Sequence, residues 1–206
     1  MSLNIWIAYL LAVLILSVSP GAGAVNTMSN SIRYGVRRTV PAILGLQAGL
    51  AANVLLVGAG LGALIASSAG AFTALKWAGV VYLVYLAWQK WTDRATFELS
   101  VAPGESAPVR RLFLQAALVN LTNPKAIVFM AALFPQFLDP ARPQGLQFLV
   151  LGATLVAVDT LVMSGYAAFA SVLRQVVRDR ERMILQNRIF SFLFLGAGAL
   201  LASVKA

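Results

Sequence analysis

Apolar residues run along this chain in six long stretches, at residues 3–32, 39–66, 71–91, 112–138, 146–173 and 189–204, separated by short polar or charged intervals. Each is close to or above the roughly 17–25 residues that carry a helix across a hydrocarbon core, the last being the shortest. The pattern predicts an all-α integral membrane protein of six transmembrane helices, a single membrane domain over residues 1–206. One interval, from about Thr92 to Pro108, is plainly aqueous, because charges, Ser, Pro and Gly interrupt the apolar pattern there. It divides the chain into a three-helix half at 1–91, a cytoplasmic linker at 92–111 and a second three-helix half at 112–206. Three is odd, so the second half enters the bilayer in the opposite sense, which is the arithmetic of a 3+3 inverted repeat.

Two of the stretches carry helix-breaking motifs. Ser19-Pro20-Gly21 lies in the first and Asn123-Pro124-Lys125 in the fourth, 104 positions apart in 206 residues. Proline lacks an amide donor and clashes with the preceding turn, so helices 1 and 4 are expected to be interrupted at Pro20 and Pro124. A polar residue before proline suits the cap and first position of a new helix, which makes Ser19 and Asn123 the expected N-caps. Each motif alone also reads as a simple kink, since neighbouring groups in a membrane bundle can repair the freed carbonyls. Their matched chemistry and half-chain spacing favour a binding site at paired half-helix starts. Lys125 adds a charge where the helix dipole already favours an anion. Asn26, Asn120 and Asn123 are nearby amides, suited to binding a substrate or to bridging helices.

Asp159 is the other informative position. It lies mid-way along the fifth stretch with no further charge for more than ten residues on either side. An ionised carboxylate there costs roughly 2.5–3.5 kcal/mol unless it is paired, hydrated or protonated, so it is a candidate for proton coupling or amine binding. Its bland reading is a static ion pair with Lys125 that orients helices. Met163 and Tyr166 follow at helical spacing on the same face, which lets Tyr166 hydrogen-bond into the same cavity. Gly45 and Gly49 form a GxxxG pair and read as tight helix packing, with no substrate role. Trp6, Tyr9, Trp77, Trp88 and Trp91 lie toward stretch ends and read as interfacial anchors.

Composition narrows the picture further. Hydrophobic residues make up 60% and charged residues 11%, with a mean hydropathy of +0.82, too apolar for a water-soluble domain to hide in one core. The absence of Cys and His removes thiolate and imidazole metal sites and every nucleophile–histidine arrangement, so no catalytic residues, metal or cofactor are expected. The net charge of +9 sits between the apolar stretches rather than along one face, which argues against nucleic acid and for topology. With six alternating helices, the intervals at Arg33–Arg38, Lys90–Arg111 and Arg174–Arg188 share one side and hold 12 Lys or Arg, against 3 on the other. The positive-inside rule then puts both termini in the periplasm. No basic residue precedes Arg33, so the first stretch lacks the n-region of a cleaved signal and is expected to remain as a helix.

The segments SPGAGAVNTM (Ser19–Met28) followed by YGVRRT, VNLTNPKAIVFMAALFPQF (Val119–Phe137) and VDTLVMSGYAAFA (Val158–Ala170) resemble the LysE superfamily of amino-acid exporters, across essentially the whole chain. Within it the likeness is to the RhtB branch, whose first motif also carries a small residue, here Ala22, where many relatives have a second proline. The resemblance implies a bacterial inner-membrane exporter of small neutral amino acids, homoserine, its lactone or threonine, driven by protons. Its partners would be substrate, protons and the bilayer, and homo-oligomerisation is compatible with it. The chain departs from many relatives in having Leu50 rather than an acid after Gly49, which leaves Asp159 as the deep carboxylate. The rival from another class is a structural or lipid-handling membrane protein, which predicts no saturable proton flux.

Overall fold

The computed structural model describes residues 1–65, 69–92, 107–139, 142–170 and 179–203. All regular structure among them is helical: α1 (Leu3–Val18), α2 (Ala22–Tyr34), α3 (Val36–Ile65), α4 (Ala69–Thr92), α5 (Val109–Leu121), α6 (Pro124–Phe137), α7 (Gln144–Ala168) and α8 (Arg180–Ser203). Within α3 the segment Val36–Gly60, and α7 as a whole, are long and apolar enough to cross a bilayer. The pairs α1–α2 and α5–α6 each qualify as one broken span, bent by 54°. Large apolar side chains cover the outside of the bundle: Leu11, Leu55, Trp88, Leu161 and Phe192 each leave more than half their surface uncovered. Such a surface suits lipid and not water. The chain is an all-helical membrane protein.

The two expected breaks are present, whereas two expected loops change. The interval Arg33–Arg38 is the single residue Gly35, whose positive φ of 82° closes α2 with its N–H on the Ser31 carbonyl at 2.9 Å. Only glycine adopts that backbone without strain, and the arginines ride on the flanking helix ends. The aqueous interval falls largely at 93–106, outside the described residues. The last apolar run is the C-terminal part of α8, which starts earlier, at Arg180, and spans roughly 36 Å at 1.5 Å per residue.

The helix directions follow from the side chains that meet. Along α3, Gly45 and Gly49 present bare backbone to α5, where a Cβ would collide with the carbonyls of Phe113 and Ala117 respectively. One turn further, Asn53 Nδ2 donates to the carbonyls of Asn120 (2.9 Å) and Leu121 (3.2 Å), and Asn120 Nδ2 donates back to the Leu46 carbonyl (2.9 Å). So α3 and α5 run parallel in close contact, and the GxxxG pair is a packing device as expected.

Gln47 meets Asp159, Val54 meets Gly152 and Gly58 meets Phe148, which makes α3 antiparallel to α7. Tyr9 donates to the Leu151 carbonyl at 2.9 Å, and Tyr166 donates to the Val18 carbonyl at 2.8 Å, which makes α1 parallel to α7. By these relations α1 and α5, the first arms of the two broken helices, run in opposite directions. The helices α4 and α8 pair antiparallel, Ser191 donating to the Ala87 carbonyl at 2.8 Å while Gly198 faces Leu83.

Of the expected interfacial anchors, Tyr9 lies inside and Trp6 is half-buried. Tyr9 is fully buried, edge-on to Phe134 and Phe137, and Trp6 Nε1 donates to Thr154 Oγ1 at 3.0 Å. Both satisfy their polar tips on α7, which a position near a stretch end does not reveal. Trp77, Trp88 and Trp91 remain exposed.

Because the α3–α5 contact is backbone on backbone, Gly49→Val should destabilise the protein by about 1–3 kcal/mol or more through overpacking. Gly60→Ala, where an added Cβ meets nothing within 4 Å, should be neutral. Thermal unfolding of the detergent-solubilised variants measures the difference. Equal melting temperatures would refute the interface as described.

Candidate functional site

A helix that stops inside a bilayer leaves carbonyls that water cannot reach, so their partners define the local architecture. At the end of α1 the Ser19 N–H returns to the Ile15 carbonyl at 3.1 Å. The next carbonyls are met from distant elements. Lys125 Nζ donates to Leu16 O (3.0 Å) and Ser19 O (2.9 Å), Tyr166 to Val18 O (2.8 Å), and Lys90 Nζ to Pro20 O (3.3 Å). Lys90 was counted as a linker charge on sequence grounds. It is buried, at 9% exposure, with its ammonium turned back toward the break.

The expected cap at Ser19 is not formed. Ser19 is the C-cap of α1, and Gly21, in extended backbone, holds the N-cap position of α2 without any side-chain bond. Proline at 20 is therefore part of an extended connection rather than the first helical residue, and the Ser19 hydroxyl is buried with no hydrogen-bond partner among the described residues. The second motif behaves as expected. Asn123 caps α6, its Oδ1 accepting from Lys125 N–H at 3.1 Å, and Pro124 is the first helical residue, where its missing N–H costs nothing. The two motifs thus match in position but not in capping chemistry.

Asp159 and Lys125 form no ion pair. Among the described residues the ion pairs are Asp139–Arg142 and Asp179–Arg182. Asp159 Oδ2 instead accepts from Gln47 Nε2 at 2.9 Å, an amide that sequence reading passed over inside an apolar stretch. Ser17, the penultimate residue of α1, lies near the carboxylate without reaching hydrogen-bond geometry.

These groups surround one cavity of about 50 Å³, lined by Ser17, Ser19, Gly21, Asn120, Asn123, Lys125 and Asp159, with apolar walls from Leu16, Leu50, Leu155 and Met163. The start of α2, through Gly23 and Ala24, and the start of α6, through Lys125 and Ala126, open onto the same space. Both half-helix starts therefore converge, together with the intramembrane carboxylate. The volume admits a few waters and falls well short of the roughly 300–1,000 Å³ of ligand pockets, so the site in this conformation has no room for a whole amino acid.

Other expected residues fall outside this lining. Tyr166 is committed to the Val18 carbonyl, and Pro20 contributes its carbonyl to Lys90. Asn26 is elsewhere: it accepts from Asn30 Nδ2 through its carbonyl (2.8 Å) and Oδ1 (3.1 Å), and lines a separate polar cleft of about 420 Å³ between α2 and α5 with Arg33 and Arg111. Six residues down the helix from Ser19-Pro20 is too far along α2 to face the break.

Comparison with known proteins bears on this arrangement. The chain is 49% identical over 206 residues to an uncharacterized membrane protein of Vibrio cholerae, with full coverage of both. It is 47% identical over 205 residues to the homoserine/homoserine lactone efflux protein of Salmonella typhimurium, covering 100% of this chain and 99% of that one. A leucine efflux protein of Salmonella choleraesuis is 28% identical over 206 residues, covering 99% and 97%. No solved structure gives a significant match. The LysE type translocator family matches residues 14–204, a span that contains both helix breaks, Lys125 and Asp159. A multi-pass membrane translocator rather than an enzyme, the chain belongs to the LysE type translocator family.

Proposed function

We propose that this chain exports small neutral amino acids, foremost homoserine and homoserine lactone and with them threonine, across the bacterial inner membrane by proton-coupled alternating access. The observation that carries the reading is the convergence of both helix breaks, Lys125 and Asp159 on one small cavity. Full-length similarity to a homoserine/homoserine lactone efflux protein supports the substrate class, and a leucine efflux relative supports neutral amino acids more broadly.

The architecture we propose is six spans in a 3+3 inverted repeat, with α1–α2, α3 and α4 equivalent to α5–α6, α7 and α8. The opposite directions of α1 and α5 support it, as do equal bends of 54° in the two broken spans. Exchanging the halves also maps α3–α5 onto α7–α1, and α2–α7 onto α6–α3, all of them packed pairs. Both termini lie in the periplasm. With the inward-turned Lys90 set aside, 11 Lys or Arg against 3 still favour that orientation.

In this mechanism the substrate carboxylate competes with the Leu16 and Ser19 carbonyls for Lys125, while Asp159 takes the amine or the incoming proton. Drawing Lys125 away loosens the α1–α2 connection, and one half rocks against the other around the site. The driving force is adequate: about 2.3 kcal/mol for one charge across 100 mV against about 1.4 kcal/mol per tenfold gradient.

Reconstitution in proteoliposomes tests the function, with proton flux followed on adding homoserine, homoserine lactone, threonine, serine or lysine. Saturable flux with the neutral substrates is expected; no substrate-dependent flux would leave the structural or lipid-handling role. Asp159→Asn should lower transport of homoserine and its lactone alike by about 10- to 100-fold, the worth of a hydrogen bond to a charged group. Lys125→Ala should depress homoserine more than the lactone, which has no free carboxylate. A lactone-to-homoserine ratio unchanged from wild type would remove Lys125 from carboxylate recognition.

A further inference from the structure

Most polar groups around the cavity are paired, and the exceptions are of one kind. Ser17 Oγ, Ser19 Oγ and Gln47 Oε1 are buried, with their residues at 5%, 3% and 7% exposure, and have no hydrogen-bond partner among the described residues. Ser17 and Ser19 line the cavity beside Asp159. Asp159 spends Oδ2 on Gln47 and leaves Oδ1. Gln47 can only present Nε2 to a carboxylate, because the flipped amide would set oxygen against oxygen. Asp159 Oδ1 and Gln47 Oε1 can only accept, and each serine hydroxyl has two lone pairs beside its one O–H, so acceptors outnumber donors among the unfilled groups. The two serines lie at the C-terminal, electronegative end of α1, and Lys125 has two of its three N–H groups on carbonyls.

An ammonium group is the complement of such a site, since it brings three donors, no acceptor and a positive charge. We propose that Ser17, Ser19 and Asp159 form a cradle for the primary ammonium of the substrate, with Gln47 as the residue that positions the Asp159 carboxylate. The inference rests on the amino-acid-efflux reading above and deepens it. Homoserine and homoserine lactone differ at the carboxyl end and share the amine, so a site serving both must recognise what they share. The cavity of about 50 Å³ has room for an ammonium head. N-acylation removes the charge and two donors. The carrier thus selects free amines.

The test uses the full chain in proteoliposomes, with homoserine lactone, N-acetylhomoserine lactone and sodium as probes. Homoserine lactone should be transported, while N-acetylhomoserine lactone should neither be transported nor compete. Ser17→Ala and Ser19→Ala should each raise the KM for homoserine and for the lactone by about 10-fold, equivalent to roughly 1.4 kcal/mol, with maximal rate largely kept. Gln47→Leu should raise both KM values and shift the pH profile of transport, which a purely structural loss would not do.

Competition by the N-acetyl compound equal to that of the free amine would overturn the cradle. So would unchanged KM in the Ser17 and Ser19 variants, or a strict sodium requirement lost in those variants, which would assign the oxygens to a metal cation. If the wild type moves none of the free amines, the efflux reading itself fails. If it moves them without distinguishing N-acetylation, only the cradle does.

Discussion

Everything at the centre of this molecule follows from one constraint: backbone carbonyls released by an interrupted helix in lipid must find donors within the protein. The chain meets that constraint twice and by different means. At the end of α5 the donors are neutral amides and hydroxyls, Asn53 on the carbonyls of Asn120 and Leu121, and Thr122 Oγ1 on Leu118 O at 2.8 Å. At the end of α1 they are two lysines and a tyrosine. A neutral amide has little reason to leave a buried carbonyl. A lysine does, once an anion is offered, because charge-assisted bonds to a carboxylate are about twice as strong as bonds between neutral groups.

The same difference appears in how each first arm is attached to its neighbour. The arm α5 lies on α3 through glycine backbone, where no side chain intervenes and sliding would drive Cα atoms into carbonyls. The other first arm, α1, is stitched to α7 by the tips of Trp6, Tyr9 and Tyr166. Contacts through long side chains yield to rotamer changes, whereas backbone contacts in a close-packed interface are bistable at best. Both observations set α3–α5, joined by backbone and neutral amides, apart from the end of α1, held by long side chains.

Much of the helical order was legible, because proline and apolar run length act locally and leave a local signature. Pro124 behind Asn123 gave its cap outright. Pro20 behind Ser19 offered the same signature but a different outcome, since Gly21 lets the chain stay extended for another residue before α2 begins. What could not be read was side-chain direction. Lys90 at the end of an apolar run is as consistent with snorkelling outward as with turning inward, and only the position of the α1 break decides between them. Tyr9 posed the same ambiguity. Gln47 and Ser17 carried a faint signal, single polar residues within apolar stretches, but their importance comes from facing Asp159 across a helix interface. Asn26 lies away from the cavity for the opposite reason, since nearness in sequence to a break is not nearness in space once a helix intervenes.

The asymmetry between the breaks also bears on why a carrier of this kind keeps a lysine inside the bilayer at all. If the ammonium served only to repair carbonyls, an amide such as Asn53 would do so with less desolvation, as the α5 break demonstrates. A charge that repairs the backbone while facing a cavity with a carboxylate across it can exchange one partner for another, and the proposed mechanism uses that exchange to free the backbone. Coupling between ligand and conformation requires that kind of differential interaction with the two states. In the proposed mechanism Lys125 supplies it, because its partners in this structure are the Leu16 and Ser19 carbonyls at the α1 break.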